Sequence, residues 1–356
     1  MTISRRQVIK VGISASVALQ APFIGRASAQ STTVIRVATW GGAWRDSLEK
    51  NVAGHLGEKG IRLEYVLGNP EDNIAKLIAA RRQGAVPFDV LEFTPVQKIQ
   101  LVNGGIFEKL DYDRLPNAKE IPRWAQEESL ASVQYTGDGI GYNVDRFKDA
   151  GVEPPTLYAD LDNEKIRSRL SFPEPANGAH WGAVTALAYA GGGSEEDMRP
   201  AINMVNKINP GSFYSSSPDL ATKFGNGDIL VAPWQSGWAL RLRKSGLPVN
   251  VVYPRIGEHQ GAIWPICQGV IKGTPNSAAA HAFINAFLSF EAQYGHGVST
   301  GSLPVNSQAR HKLGEDPELR EMLLLSDAQI DNAFRINWEK FNQKQWRDMW
   351  SRDVSR

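Results

Sequence analysis

The chain has 356 residues, with 39 basic and 38 acidic side chains and a formal net charge of +1. This balance gives no support for binding to nucleic acid or for an electrostatic membrane patch. A single cysteine, Cys267, excludes an intramolecular disulfide. Stability must therefore come from a large core, and the chain is long enough for two domains.

The first thirty residues have the pattern of a secretory signal. Arg5 and Arg6 precede an apolar run over residues 11–24, and Ala27-Ser28-Ala29 supplies a small-residue cleavage site. The run is too short to cross about 30 Å of hydrocarbon. The paired arginines indicate the twin-arginine export route, with a basic Sec-type signal as the alternative. We predict a signal peptide over residues 1–29, cleavage near Ala29 and a periplasmic product.

The mature chain would have a slightly different charge. Removing 29 of 356 residues leaves 327, and it removes four basic side chains and no acid. The 35 basic and 38 acidic groups that remain give a net charge of about −3. No later stretch approaches 18 uninterrupted apolar residues, so the sequence predicts a soluble product that binds no nucleic acid.

The first half of the mature chain alternates strand and helix patterns. Strands are predicted over residues 33–40, 61–68 and 88–93. Trp44, Leu48, Val52 and Leu56 recur every four residues, which places them on one helical face. Asn69-Pro70 and Thr94-Pro95 each have the form of a helix start, a cap residue followed by proline. This alternation predicts a parallel sheet with helices on both faces.

A second α/β set follows a glycine-rich strand over residues 132–147. It comprises a strand near residues 170–178, a helix from Trp181 to Ala190, a helix through Ile208, a helix from Ser217 to Phe224 and a strand over residues 228–234. Two lobes with crossings near residues 134–140 and 252–258 are predicted, and one large α/β domain with insertions is the alternative. An amphipathic C-terminal helix is predicted over residues 338–352, with Trp346 and Trp350 four residues apart.

Large aromatic or charged side chains recur at the predicted ends of strands. Ligands of open α/β sheets bind beyond these ends, where helix N-termini offer free N–H groups. Each tryptophan alone is more often part of a core. Glu92 in a buried strand needs a partner, and a ligand amine or an internal arginine, Arg81 or Arg82, would supply one. The candidate ligand-binding residues are Trp40, Trp44, Glu92, Tyr135, Trp234 and Trp264.

Sequence signatures of catalysis are missing. The run Gly137-x-Gly139-x-Gly141 places its last glycine one position early for a dinucleotide fingerprint, and neither a nucleophile elbow nor a phosphate-binding loop occurs. The six histidines show no metal-binding spacing, and Cys267 has the apolar neighbourhood of a buried structural thiol. We therefore predict no enzyme activity, no cofactor and no metal site.

Three blocks of the sequence resemble periplasmic binding proteins of ABC importers, in particular the spermidine/putrescine-binding group. They are WGGAWRDSLEKNVAGHLGEKGIRLEYVLG, GDGIGYNVDRFKDAGVEPPTLYADL and AHAFINAFLSFEAQYGHGVSTGSLPVNSQAR. The resemblance covers nearly the whole mature chain. It implies two doubly wound α/β lobes of the class II type, joined by a hinge, which close over a small solute and deliver it to an ABC permease in the inner membrane.

The boundaries that we predict on this basis are residues 31–134 and 256–310 for lobe 1, residues 138–253 for lobe 2, and residues 311–356 for C-terminal helices packed on the lobes. The predicted protein is a monomer. A binding-protein-fold enzyme or a chemoreceptor partner that takes no part in transport is the alternative function.

The departure from the polyamine receptors concerns the solute. Their segment that corresponds to GAIWPICQGVIKG carries an aspartate soon after the tryptophan, whereas Trp264 is followed here by Pro265. The chain also has no Tyr-Tyr pair such as iron-binding relatives use. A solute with one ammonium group therefore fits better than one with two. If the solute carries a carboxylate at its other end, the candidate partners for that carboxylate are Arg45, Arg255 or a helix N-terminus.

Overall fold

An eight-stranded mixed sheet runs through the computed structural model, which describes residues 32–355. The predicted signal segment, residues 1–29, lies outside the described residues. The strand order is β12-β4-β11-β3-β1-β2, and two further strands, β7 and β8, pair with β4. The strands are β1 Thr33–Thr39, β2 Ile61–Leu67, β3 Val90–Phe93, β4 Ala131–Asn143, β5 Ser171–Pro173, β6 Ser212–Tyr214, β7 Val231–Gln235, β8 Val249–Val252, β9 Arg255–Ile256, β10 His259–Gln260, β11 Ala262–Val270 and β12 Leu303–Pro304.

Helices cover both faces of this sheet and extend to the C-terminus. The α-helices are α1 Ala43–Leu48, α2 Gly54–Gly57, α3 Pro70–Arg81, α4 Pro95–Asn103, α5 Val144–Ala150, α6 Glu164–Arg167, α7 Ala179–Ala190, α8 Arg199–Ile208, α9 Ser217–Asn226, α10 Ser236–Lys244, α11 Ser277–Phe287, α12 Phe290–Thr300, α13 Ser307–Leu313, α14 Pro317–Met322, α15 Asp327–Asn332 and α16 Gln343–Asp353. A π-helical turn, Glu49–Ala53, joins α1 to α2, and short 3₁₀ turns occur at Tyr112–Arg114, Pro116–Glu120, Arg123–Ala125 and Tyr158–Leu161. Within the described residues, no helix is both long and apolar enough to cross a membrane.

The predicted β-α alternation of the first half is confirmed. Strand β1 pairs in parallel with both β2 and β3, and the intervening helices pack on the sheet. Thr94 and Gln97 form the capping box of α4, with Pro95 at the first helical position. Asn69 occupies the N-cap position of α3, but its side chain makes no capping hydrogen bond. Its Nδ2 donates instead to Asp72 Oδ2 at 3.2 Å.

Strand β4 connects two parts of the sheet. Its N-terminal half pairs with β11 and β12, and its C-terminal half pairs with β7 and β8. Gly139 lies between these halves, where a Cβ atom would stand 2.4 Å from the carbonyl oxygen of Val252. Only glycine permits this close approach of two strands. The glycine-rich stretch is thus a continuous strand, and it runs through the region predicted for the first crossing.

The C-terminal region differs from the prediction at its start. The apolar spacing predicts a helix from residue 338, whereas α16 begins at Gln343. The side chain of Asn342 accepts a hydrogen bond from the backbone N–H of Gln345, which fixes the helix start there. Trp338 therefore precedes the helix, and its ring contacts Trp181 and Trp264 at 5.7 Å.

Candidate functional site

Glu92 is almost completely buried at the C-terminal end of β3 and is held by three internal donors. Trp44 Nε1 donates to its Oε2 at 3.0 Å, and Gln268 Nε2 donates to its Oε1 at 2.7 Å. The hydroxyl of Thr39 donates to the same carboxylate. The side chain is 1% exposed. The internal partner is therefore this set of neutral donors and not an arginine.

Trp40 and Trp44 stand together at the end of β1, as the sequence predicts. Their rings meet edge to face with centroids 5.2 Å apart, and both side chains are half-buried. Trp44 also contacts the ring of His296 at 4.3 Å. Because Trp44 donates its indole N–H to Glu92, it is fixed by the carboxylate, while Trp40 keeps one side towards solvent. That the pair forms a wall for a ligand stays a prediction.

Burial changes the proton affinity of Glu92. Desolvation raises the pKa of its carboxyl from 4.5 to about 6, and the hydrogen bonds from Thr39, Gln268 and Trp44 oppose the rise. Between pH 4.5 and about pH 6, the Glu92 carboxyl is therefore mostly protonated in the folded chain and mostly ionised in the unfolded chain. The free energy of unfolding should therefore fall as the pH increases from about 4.5 to about 6.

We expect the Glu92 contribution to this fall to be about 2 kcal/mol, because one pKa unit corresponds to about 1.4 kcal/mol. Chemical unfolding of the wild type and of Glu92→Gln between pH 4 and pH 7.5 measures it. As the pH rises through this range, the wild type should lose about 2 kcal/mol of unfolding free energy relative to Glu92→Gln. The exposed control is Glu58→Gln, whose profile should follow the wild type. Parallel pH profiles for the wild type and Glu92→Gln would contradict the prediction.

The other predicted site residues lie in different surroundings. Tyr135 is fully buried and its hydroxyl donates to the carbonyl of Leu324 at 2.6 Å. Trp234 is also fully buried, stacked between Phe224 at 5.3 Å and Trp238 at 6.1 Å. Trp264 is 3% exposed, and its ring lines a cavity. Of the six candidates, the structure thus brings Trp40, Trp44 and Glu92 into one cluster, and it places Trp264 separately at the cavity.

The cavity has a volume of about 100 Å³ and lies beside the paired strands β4 and β11. Helix α4 and the 3₁₀ turn Arg123–Ala125 contribute to it from one part of the fold, and α7 contributes from the other. The segment of residues 334–338 completes the lining. The side chains that matter most here are Trp124, Asp138, Trp264, Arg335 and Trp338, with Gly182 beside them.

Asp138 is the least compensated ionisable side chain of this cavity. The side chain is 2% exposed, and its Oδ1 has no hydrogen-bond partner among the described residues. Burial raises the pKa of this carboxyl well above its usual range, and no nearby cation lowers it. A buried polar atom without a partner costs free energy, so its retention in a cavity wall needs an explanation.

Trp124 and Arg335 form a second unusual pair in the same lining. The indole Nε1 of Trp124 is buried and has no acceptor among the described residues. The guanidinium of Arg335 lies 5.4 Å from the Trp124 ring centroid and donates to the carbonyl of Ile330 at 3.0 Å, but it makes no salt bridge to any described carboxylate. Lys98 and Glu127, which also line the cavity, neutralise each other at 2.6 Å. The cavity therefore presents one unpaired acceptor and one unpaired donor.

Sequence reasoning missed Trp124, Asp138, Arg335 and Trp338. A signal for Asp138 was present, since a carboxylate between glycines in a buried strand raises the same question as Glu92. The two tryptophans and the arginine reach the cavity from loops, and loops have no periodicity that would indicate their direction.

The single cysteine of the chain lies on strand β11. Cys267 is buried as predicted, with its Sγ 3.8 Å from Ser132 Oγ, and burial raises the pKa of its thiol to about 12. A thiol with so high a pKa is a poor nucleophile. No cluster of three potential metal ligands occurs within residues 32–355.

Three named relatives align with 65% to 83% of the chain at 23% to 25% identity. The spermidine/putrescine-binding periplasmic protein of Escherichia coli K12 is 23% identical over 65% of this chain, and the match spans 66%, just under two thirds, of that protein. The putrescine-binding periplasmic protein PotF of the same organism is 24% identical over 83% of this chain and 89% of its own. A γ-aminobutyric acid-binding protein of Pseudomonas aeruginosa PAO1 is 25% identical over 74% of this chain and 73% of its own.

Solved structures share the fold. An ABC transporter protein from Clostridium perfringens superposes with a TM-score of 0.74 at 24% identity, over 90% of this chain and all of that chain. A protein described as the Atu4243-GABA receptor gives a TM-score of 0.74 at 21% identity, over 90% of this chain and 97% of its own. The predicted mixed α/β architecture of the periplasmic binding proteins is thereby confirmed.

The sequence profile of the bacterial extracellular solute-binding proteins matches residues 47–321, which include β2 to β12 and most of the cavity lining. The match covers well over half of the chain. With this profile, the fold and a cavity between strands and helices of both parts of the sheet, the chain belongs to the bacterial extracellular solute-binding protein family.

Proposed function

We propose that this chain is the solute receptor of an ABC importer, which captures a small amine-containing solute and delivers it to a membrane permease. It would work in the periplasm as a monomer, after export through the segment of residues 1–29. Its action is binding and closure, without catalysis or a cofactor. The named relatives bind spermidine, putrescine or γ-aminobutyric acid, and an amine is the group that these solutes share.

The observation that carries this proposal is the cavity with tryptophan rings in its lining. Trp124, Trp264 and Trp338 reach it from three separated parts of the chain. Aromatic faces attract cations through the ring quadrupole, and they hold the alkyl part of a solute by apolar contact. A concave, mostly apolar site with a few polar groups is the usual form of a small-molecule site.

Closure would involve the two parts of the sheet. We propose lobe 1 over residues 31–134 and 256–310, lobe 2 over residues 138–253, and C-terminal helices over residues 311–356. Strand β4 would serve as a hinge, since its two halves pair with different sets of strands. A solute that contacts both lobes binds the closed state more tightly than the open one, and this difference drives closure.

The proposal is tested by thermal unfolding of the purified chain, freed of bound solute by unfolding and refolding, with a panel of solutes. At a hundred times its dissociation constant, a bound solute should add about 2.7 kcal/mol to the free energy of unfolding. Putrescine, spermidine, γ-aminobutyrate, aminoethylphosphonate, ethanolamine and choline form the panel. Each is paired with a compound in which a hydroxyl or hydrogen replaces the amine.

We expect at least one amine to stabilise the chain and its matched compound to have no effect. Recovery of that amine unchanged after prolonged incubation, followed by NMR, would support a receptor and not an enzyme. Stabilisation by the amine-free partners alone, or by none of the panel, would contradict the proposed function.

A further inference from the structure

We infer that the cavity is a site for a short ω-amino acid, whose ammonium pairs with Asp138 and whose carboxylate faces Trp124 Nε1 and Arg335. The inference rests on the proposed function and assigns the groups of the solute to particular residues. It comes from two buried polar atoms without partners, an acceptor and a donor, in the lining of one cavity.

The first step concerns Asp138. Its Oδ1 has no hydrogen-bond donor among the described residues, and no cation among them lies near enough to offset its burial. The carboxylate thus lacks the partners that Glu92 has in Thr39, Trp44 and Gln268. An ammonium group would supply donors and a compensating charge together.

Helix α7 approaches this carboxylate closely through a glycine. Gly182, in the first half of α7, faces Asp138 so closely that a Cβ atom there would stand 2.9 Å from Oδ2. Glycine within a helix is unfavourable by about 1 kcal/mol relative to alanine. The absent side chain is what permits this approach, and Trp264 and Trp338 lie in the same cavity lining, where their rings can attract a cation.

The second step concerns the opposite charge. Arg335 lies at the more exposed side of the cavity and has no carboxylate partner within 4.0 Å among the described residues. The Trp124 indole N–H beside it is buried without an acceptor. A carboxylate would accept from both. A second ammonium, as in a diamine, would instead meet a like charge there.

The volume limits the size of the solute. An engineered cavity of about 150 Å³ holds benzene, which has six heavy atoms. The cavity of about 100 Å³ found here is smaller, so it favours the shortest ω-amino acids, of which the three-carbon one has six heavy atoms and the four-carbon one seven. A long polyamine would extend well beyond it.

Four compounds with the same four-carbon chain distinguish the contributions of the ammonium and the carboxylate to binding. They are γ-aminobutyrate, butylamine, butyrate and putrescine. Titration calorimetry of the purified chain should give the tightest binding for γ-aminobutyrate, weaker binding for butylamine, and putrescine at least about tenfold weaker than γ-aminobutyrate. Butyrate should not bind measurably, because it leaves Asp138 unpaired. Putrescine binding as tightly as γ-aminobutyrate would overturn the inference.

Substitutions then test which residue contacts the ammonium end of the solute and which contacts its carboxylate end. Asp138→Asn should weaken γ-aminobutyrate and butylamine by at least about 30-fold, as expected when one partner of a buried charge pair is removed. Arg335→Gln should weaken γ-aminobutyrate and leave butylamine unchanged. A matched control is Asp89→Asn, since Asp89 is also buried but accepts hydrogen bonds from Arg36 N and Asn276, away from the cavity, and solute affinity should persist.

The thermal stability of the solute-free protein gives a test of the role of Asp138 that does not depend on which solute binds. Because Asp138 lacks a partner in the free protein, Asp138→Asn should raise the unfolding midpoint without solute by at least about 2 °C. Gly182→Ala should weaken binding, because its methyl group would press against the Asp138 carboxylate, with circular dichroism as the check that the variant is folded. Unchanged affinity in Asp138→Asn would overturn the inference and leave the proposed receptor intact, whereas a wild type that binds no amine would refute the proposed function itself.

Discussion

Trp234→Ala is expected to lower the free energy of unfolding by about 3–5 kcal/mol, the usual cost of truncating a fully buried aromatic side chain to alanine. The ring is 0% exposed and stacks on Phe224 at an interplanar angle of 14°. Helix α9 supplies Phe224, and α10 supplies Trp238 on the other side. The loss would open a large gap between a strand and two helices. Urea unfolding monitored by circular dichroism measures it.

The half-buried neighbour in the same stack is the control. Trp238 lies under the guanidinium of Arg241 at 4.4 Å, so Trp238→Ala should cost only about 1–2 kcal/mol. The experiment also decides the role of Trp234, which the sequence predicts as a wall of the ligand site. A Trp234→Ala variant of wild-type stability with weakened solute binding would favour the wall and contradict the core position.

Trp346→Ala is the second substitution for which we expect a loss of about 3–5 kcal/mol. Trp346 is 1% exposed in α16, and its Nε1 donates to His180 Nε2 at 2.7 Å. The other ring nitrogen of His180 lies 2.8 Å from the carbonyl oxygen of Pro173. Since burial lowers the pKa of His180 to about 3, the ring is neutral, with Nδ1 donating to Pro173 and Nε2 accepting from Trp346.

Two variants separate packing from hydrogen bonding at this position. Trp346→Phe keeps most of the apolar volume and leaves His180 Nε2 without a donor, so it should cost about 1–3 kcal/mol. Lys344→Ala, on the exposed side of the same helix, should change the free energy of unfolding by less than about 0.5 kcal/mol. Equal losses for the alanine and phenylalanine variants would show that the hydrogen bond, and not packing, carries the effect.

Helix α16 contacts both parts of the fold. Gln343 Nε2 donates to the carbonyl of Val96 in α4 at 2.7 Å, and Trp346 contacts His180 in α7. The preceding segment carries Trp338 and Arg335 to the cavity. A solute in the cavity would therefore be enclosed by a C-terminal region whose position depends on Trp346.

Features that depend on neighbouring residues could be predicted from the amino-acid sequence. The helices α3 and α4 begin where Asn69-Pro70 and Thr94-Pro95 predict, because proline fixes φ and needs no hydrogen-bond partner at the first helical position. The parallel pairing of β1 with both β2 and β3 follows from the alternation of strands with helices. Resemblance in three separated blocks indicated the family that the profile over residues 47–321 shows.

Contacts between side chains that are far apart in sequence could be known only from the three-dimensional structure. The three partners of Glu92 come from residues 39, 44 and 268, and no local pattern relates these positions. The same carboxylate chemistry at Asp138 leads to a different outcome, because the strands and α7 bring no donor to it. Whether a buried carboxylate is compensated depends on residues that are far apart in sequence. Local sequence therefore predicts the helices and strands. Tertiary packing determines that Glu92 has hydrogen-bond donors and that Asp138 keeps an unpaired oxygen in the cavity.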